Sequence, residues 1–146
     1  MIRKLVLMPI FLVALTGLTG CVSNRESASV TPGTDLKAMK SFYVVKLPAD
    51  GHNIDLLIRD DLIKRGYTAT SGPELKPPYP ADAVVTYIDK WFWDITLYML
   101  ELTVNVRNPN DNFPVAVGNS HHSSLAREAP PVMVNEVMTN IFNQSK

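Results

Sequence analysis

The chain has a single cysteine, Cys21, among 146 residues, so no disulfide can form within it. Nor is either sign of charge in excess. Fourteen basic side chains balance fourteen acidic ones, with no basic block, which removes the electrostatic footprint of a nucleic-acid binder. Glycine is sparse and forms no phosphate-cradling loop, and no internal repeat recurs. A Cys/His cluster and a helical Glu-x-x-His pair are both missing, so no metal ligand is assigned. No nucleophile elbow surrounds Ser123 or Ser124, and no catalytic residue is assigned. His121 and His122 are adjacent, so on a strand they point to opposite faces and cannot share one ion.

What is present begins at the N-terminus. Arg3 and Lys4 precede an apolar run from Leu5 to Leu15, and small residues follow to Gly20. This is the layout of a secretory signal, and the apolar run is too short to cross a bilayer comfortably. Leu18-Thr19-Gly20-Cys21 closes it: an aliphatic residue, a small one, glycine, then the lone cysteine. The four residues resemble the lipobox of bacterial lipoproteins. That resemblance implies cleavage between Gly20 and Cys21, a diacylglyceryl thioether on the Cys21 sulfur, and an N-acyl chain such as palmitate on the new terminus. These covalent lipids would be the only prosthetic groups, with no other cofactor. Several acyl chains make a stable anchor where one alone binds marginally, at ~0.8 kcal/mol per buried CH₂. Residue 22 is Val rather than the Asp that looks like an inner-membrane retention signal. The resemblance therefore implies an outer-membrane anchor facing the periplasm.

Residues 1–20 are read as signal peptide, 21–40 as a lipidated tether and 41–146 as one α+β domain. The tether reading rests on the Ser, Thr, Pro and Gly content of Val22 to Lys40. A flexible coil of that length averages ~25 Å between its ends. Ser41–Leu47 alternates as a strand and stops at Pro48. From Asn53 the period changes: Ile54, Leu57, Ile58, Leu62 and Ile63 recur at helical spacing up to Gly66. Tyr67–Thr70 is a short strand, and four prolines between Ser71 and Pro80 impose an extended loop. Ala83–Trp93, Ile95–Arg107 and Phe113–Ser123 read as strands, the last two joined by the Asn108–Asn112 turn. Pro130 and Pro131 open a final helix with Val134, Val137, Met138, Ile141 and Phe142 on one stripe. The order β-α-β-β-β-β-α predicts an antiparallel-rich sheet of four to five strands with both amphipathic helices on one face.

A tight turn at Asp94 would set Ile88 against Leu102, Thr86 against Val104 and Val84 against Val106, all under the helices. Tyr87, Asp89, Trp91, Trp93, Leu97 and Met99 would then occupy the open face, with His121 near Met99. Trp91, Trp93, Leu97, Met99 and His121 thus form the expected partner surface. Small lipoproteins that assist lipopolysaccharide or transporter assembly are similar in layout, with helices over a sheet behind a lipidated cysteine. The expected protein is accordingly a non-enzymatic lipoprotein. It meets the bilayer through Cys21 and binds, or helps assemble, another envelope component. The alternative is a small-ligand-binding or hydrolytic domain with a site near the Pro-rich loop and the pair Trp91 and Trp93.

Overall fold

A computed structural model describes residues 24–145. The expected signal peptide, lipobox and Gly20–Cys21 cleavage junction lie outside the described residues. The domain is α+β. Six strands form one sheet: β1 (Asn24–Val30), β2 (Ser41–Val45), β3 (Thr68–Gly72), β4 (Ala83–Asp94), β5 (Thr96–Arg107) and β6 (Pro114–His122). Helix α1 (Ile54–Lys64) joins β2 to β3, and α2 (Pro130–Gln144) closes the chain. The spatial order is β1-β6-β5-β4-β2-β3.

The sheet is mixed, with six strands rather than four or five, which corrects the antiparallel-rich expectation. β4, β5, β6 and β1 are antiparallel, whereas β2 pairs in parallel with both β3 and β4. The parallel half follows from α1: a helix between β2 and β3 carries the chain back to its starting end. The sixth strand comes from the segment expected to be a tether. Glu26, Ala28 and Val30 share the helix-side face of β1, and Ala28 and Val30 pack against the core. An edge strand needs only one ladder and half a buried face, so linker-like Ser and Arg on its other face do not prevent it. Beyond β1, Asp35 caps a 3-10 turn over Leu36–Ala38. Leu36 is fully buried there, its N–H donating to Ser145 Oγ at 2.8 Å.

The main core lies between one sheet face and both helices. Ile54, Ile58 and Leu62 of α1 and Val134, Val137, Met138, Ile141 and Phe142 of α2 are buried against it. Burying each of these large side chains contributes ~1.5–3 kcal/mol before entropy is subtracted. Gly118 lets α2 sit close, since a Cβ there would stand 2.7 Å from Ile141 Cγ1 and 2.9 Å from Val137 Cγ1.

Candidate functional site

The β4–β5 hairpin is the longest feature of the sheet, and its register decides which residues are on display. Near the tip, Trp91 pairs with Met99 and Trp93 with Leu97, as a turn at Asp94 requires. Between Lys90 and Trp91 the ladder slips by one residue: Lys90 pairs with Glu101, leaving Leu100 as a bulge. Below it Tyr87 pairs with Val104 and Thr86 with Asn105. The faces assigned to β4 are therefore exchanged. Tyr87, 1 % exposed, lies in the core, while Ile88 faces outward.

The expected partner surface divides accordingly. Met99 is 1 % exposed and belongs to the core, and Trp91 packs half-buried against that core. His121 lies on the opposite sheet face, across from Glu101, and does not meet Met99. Trp93 and Leu97 are 70 % and 52 % exposed, on the helix-side face but at the hairpin tip. Phe92 and Ile95 are exposed beside them, Ile95 at 85 %. Ile95 also has a positive φ of 64°, a conformation that is costly for a β-branched side chain.

The loop after β6 braces this tip. The Arg127 guanidinium lies 4.4 Å from the Tyr98 ring centroid and donates to the Asp94 carbonyl and to Thr96 Oγ1. The same loop exposes Leu125. Thus Phe92, Trp93, Ile95, Leu97 and Leu125 are apolar, solvent-facing and gathered at one end of the domain.

Below the tip, Trp91 Nε1 donates to Asp89 Oδ2 at 2.6 Å, and the His52 ring stacks on Trp91 at 3.7 Å. Asp50 accepts from the Tyr87 hydroxyl and from the N–H groups of His52, Ile54 and Asp55. Burial pushes the Asp50 carboxyl up, but these four donors outweigh it and hold the group below the ordinary aspartate range. Burial, reinforced by Asp50, raises Tyr87 well above the usual phenol range. This is a rigid brace under the hairpin, tying α1 to β4.

The Pro-rich loop is at the other end of the sheet. It closes over β2 from the open face: Tyr43 donates to Glu74 Oε2 at 2.6 Å, and Tyr79 donates to the Phe42 carbonyl at 2.9 Å. Burial first, then the Glu74 contact, pushes the Tyr43 phenol up to about 12. A hollow of about 480 Å³ lies beside the loop, lined by Leu75, Lys76, Arg107, Asn108 and Asn112 among others. The alternative site does not assemble, because Trp91 and Trp93 stand at the opposite end from Tyr79 and the prolines.

His122 is on the helix side of β6, 2 % exposed, away from His121. Its ring nitrogens lie 3.1 Å from the Ala126 carbonyl and 2.8 Å from Glu136 Oε2, so it is not engaged with Ser123. Ser123 Oγ and His121 Nδ1 are buried without a hydrogen-bond partner among the described residues. No hydroxyl–imidazole pair suited to nucleophilic catalysis is formed by these residues. On the open face Glu101 accepts from Lys90 at 2.6 Å and from Asn119 at 2.8 Å, which hold its carboxyl below the ordinary range. Sequence reading missed Glu136, Arg127 and Asp50. Each acts through a partner on another element, fourteen residues away or more, and a local pattern carries no sign of that.

No family model and no curated protein matches the chain. Among solved structures it is similar to the PelC dodecamer from Paraburkholderia phytofirmans, with a TM-score of 0.61 at 12 % identity. That match covers 85 % of this chain and 100 % of that one. A point variant of the same dodecamer gives 0.56 at 13 % identity, covering 85 % and 99 %. At such identity the likeness is one of fold.

Proposed function

We propose that this protein is a non-enzymatic envelope lipoprotein, anchored by lipid on Cys21 and seated on the outer membrane, facing the periplasm, by its β4–β5 tip. The rest of the domain is turned away from the bilayer, where it binds or helps assemble another envelope component. One observation carries the reading: the chain leaves the domain toward Cys21 at the same end where the apolar tip projects. β1 starts at Asn24, opposite His122, and Arg25 is level with His121 and Glu101. From that level, which on β4 is Lys90, the apex Ile95 lies five residues further along, or ~17 Å. Cys21 is four residues from Arg25, a reach of at most ~14 Å. Even at full stretch that reach falls a few ångströms short of the tip's level, so the tip can enter the ~5–10 Å depth at which interfacial apolar groups rest. Tryptophan suits that depth, with an apolar body and one polar N–H.

The test reconstitutes the lipidated protein into vesicles with brominated acyl chains. Trp93 fluorescence is quenched, and Trp93→Phe removes the quenched component while Trp91 emission persists. Protein that carries its acyl label and floats with vesicles, yet shows no quenching, refutes the seated tip. Cys21→Ala that still takes up labelled fatty acid refutes the lipid anchor.

A further inference from the structure

We infer that Glu26, His122 and Glu136 form a binding site for a divalent transition-metal ion of zinc's class, joining β1, β6 and α2. One ligand atom from each lies within 4.8 Å of the others. The buried His122 decides the case. Its Nδ1 faces the Ala126 carbonyl at 3.1 Å, an oxygen that can only accept, so Nδ1 carries a proton. That outer contact fixes the ring and leaves Nε2 directed at Glu136 Oε2, 2.8 Å away. The same Oε2 already accepts from Ser120 Oγ at 2.9 Å. Nitrogen and carboxylate thus face each other across a gap that requires a positive species, either a proton or a metal ion.

Three further observations favour a metal ion. Glu26 brings a second carboxylate, oriented by Asn140 Nδ2 at 2.9 Å, so two negative groups converge on one imidazole. Among the described residues, the remaining oxygens Glu26 Oε1 and Glu136 Oε1 accept no hydrogen bond and stay available as ligands. Glu26 is exposed, which provides an entry path and room for a water to complete the coordination. Two ligands on one ion, each at ~2.0–2.2 Å, stand about 3 Å or more apart, so the pair opens by a few tenths of an ångström. An imidazole between carboxylates selects a borderline metal over calcium or magnesium, which prefer oxygen alone. Among the described residues the other cluster of this kind, Asp50, His52 and Asp89, is already committed. Asp50 caps α1 and holds Tyr87, and the His52 ring lies flat on Trp91.

The ion displaces the proton between Nε2 and Glu136, which passes to solvent. It also fastens β1, the strand nearest the N-terminal anchor, to β6 and α2.

The experiment titrates the lipidated chain, chelator-treated in detergent micelles, with Zn²⁺ against a chromophoric indicator. One ion binds per chain, the thermal midpoint rises, and Co²⁺ in its place gives a visible ligand-field spectrum. Glu26→Gln and Glu136→Gln each weaken binding at least about tenfold, whereas His52→Ala does not. Because Glu26 is exposed, Glu26→Gln melts like the parent without metal, which separates ligation from folding. Absence of binding, equal binding by the two glutamine variants, or dependence on His52 instead overturns the site.

Discussion

The Tyr87 hydroxyl donates to Asp50 Oδ2 at 2.7 Å, tying the middle of β4 to the turn that starts α1. Tyr87 is the side chain that the bulge at Leu100 turns inward, so this contact exists only in the shifted register. Asp50 is more acidic folded than unfolded. Its contribution is therefore complete above the ordinary aspartate range and lost as pH falls through the lower, folded-state value. Urea unfolding measured across the acid range will show that loss, and Asp50→Asn will flatten it. Tyr87→Phe removes a hydrogen bond to a charged group and costs about 1.5–3 kcal/mol at neutral pH. With one donor fewer, the folded-state value of Asp50 moves up toward the unfolded one, so the acid loss is smaller and is complete at a higher pH. An unchanged acid limb in both variants would mean that the brace contributes nothing.

Gly118 sets the distance between α2 and the sheet. A methyl group there meets Ile141 Cδ1 at 2.8 Å as well as Ile141 Cγ1 and Val137 Cγ1. All three belong to side chains packed in the core. Gly118→Ala is therefore expected to lower stability by about 1–3 kcal/mol, read as a lower urea midpoint at constant m-value. Adding Ile141→Val removes the Cδ1 atom and should recover part of the loss, a coupling that a double-mutant cycle measures. Strict additivity of the two substitutions would show that the close approach is relieved elsewhere.

Periodicity made most of this domain legible. The stripe of α2 is buried residue for residue, and the strands from β2 to β6 begin and end within a few positions of where alternation places them. Two features stayed hidden for physical reasons. β1 is an edge strand with Ser and Arg on its outer face, and only its pairing with β6, some ninety residues away, distinguishes it from a linker. The bulge at Leu100 inserts one residue into an otherwise regular alternation. Counting back from the turn gives the right partners for Trp91 and Trp93 and the wrong ones for every residue below. The candidate sites share this property: His122, Glu136 and Glu26 are apolar-face interruptions on three separate elements, and only the fold brings them together.

Ile95 separates the needs of folding from those of the surface. It is 85 % exposed, it packs against no core residue, and its φ of 64° suits glycine better than a β-branched side chain. A left-handed conformation costs an L-residue roughly 1–2 kcal/mol. Ile95→Gly should therefore leave the domain as stable as the parent or raise its stability by up to about 1 kcal/mol. The proposed membrane seating would move the other way. The variant gives up an apolar side chain whose full burial contributes ~1.5–3 kcal/mol. In vesicles with brominated acyl chains, Trp93 in lipidated Ile95→Gly should be quenched less than in the parent, while the thermal midpoint holds or rises. A fall in midpoint with unchanged quenching would assign Ile95 to the fold and remove it from the membrane contact.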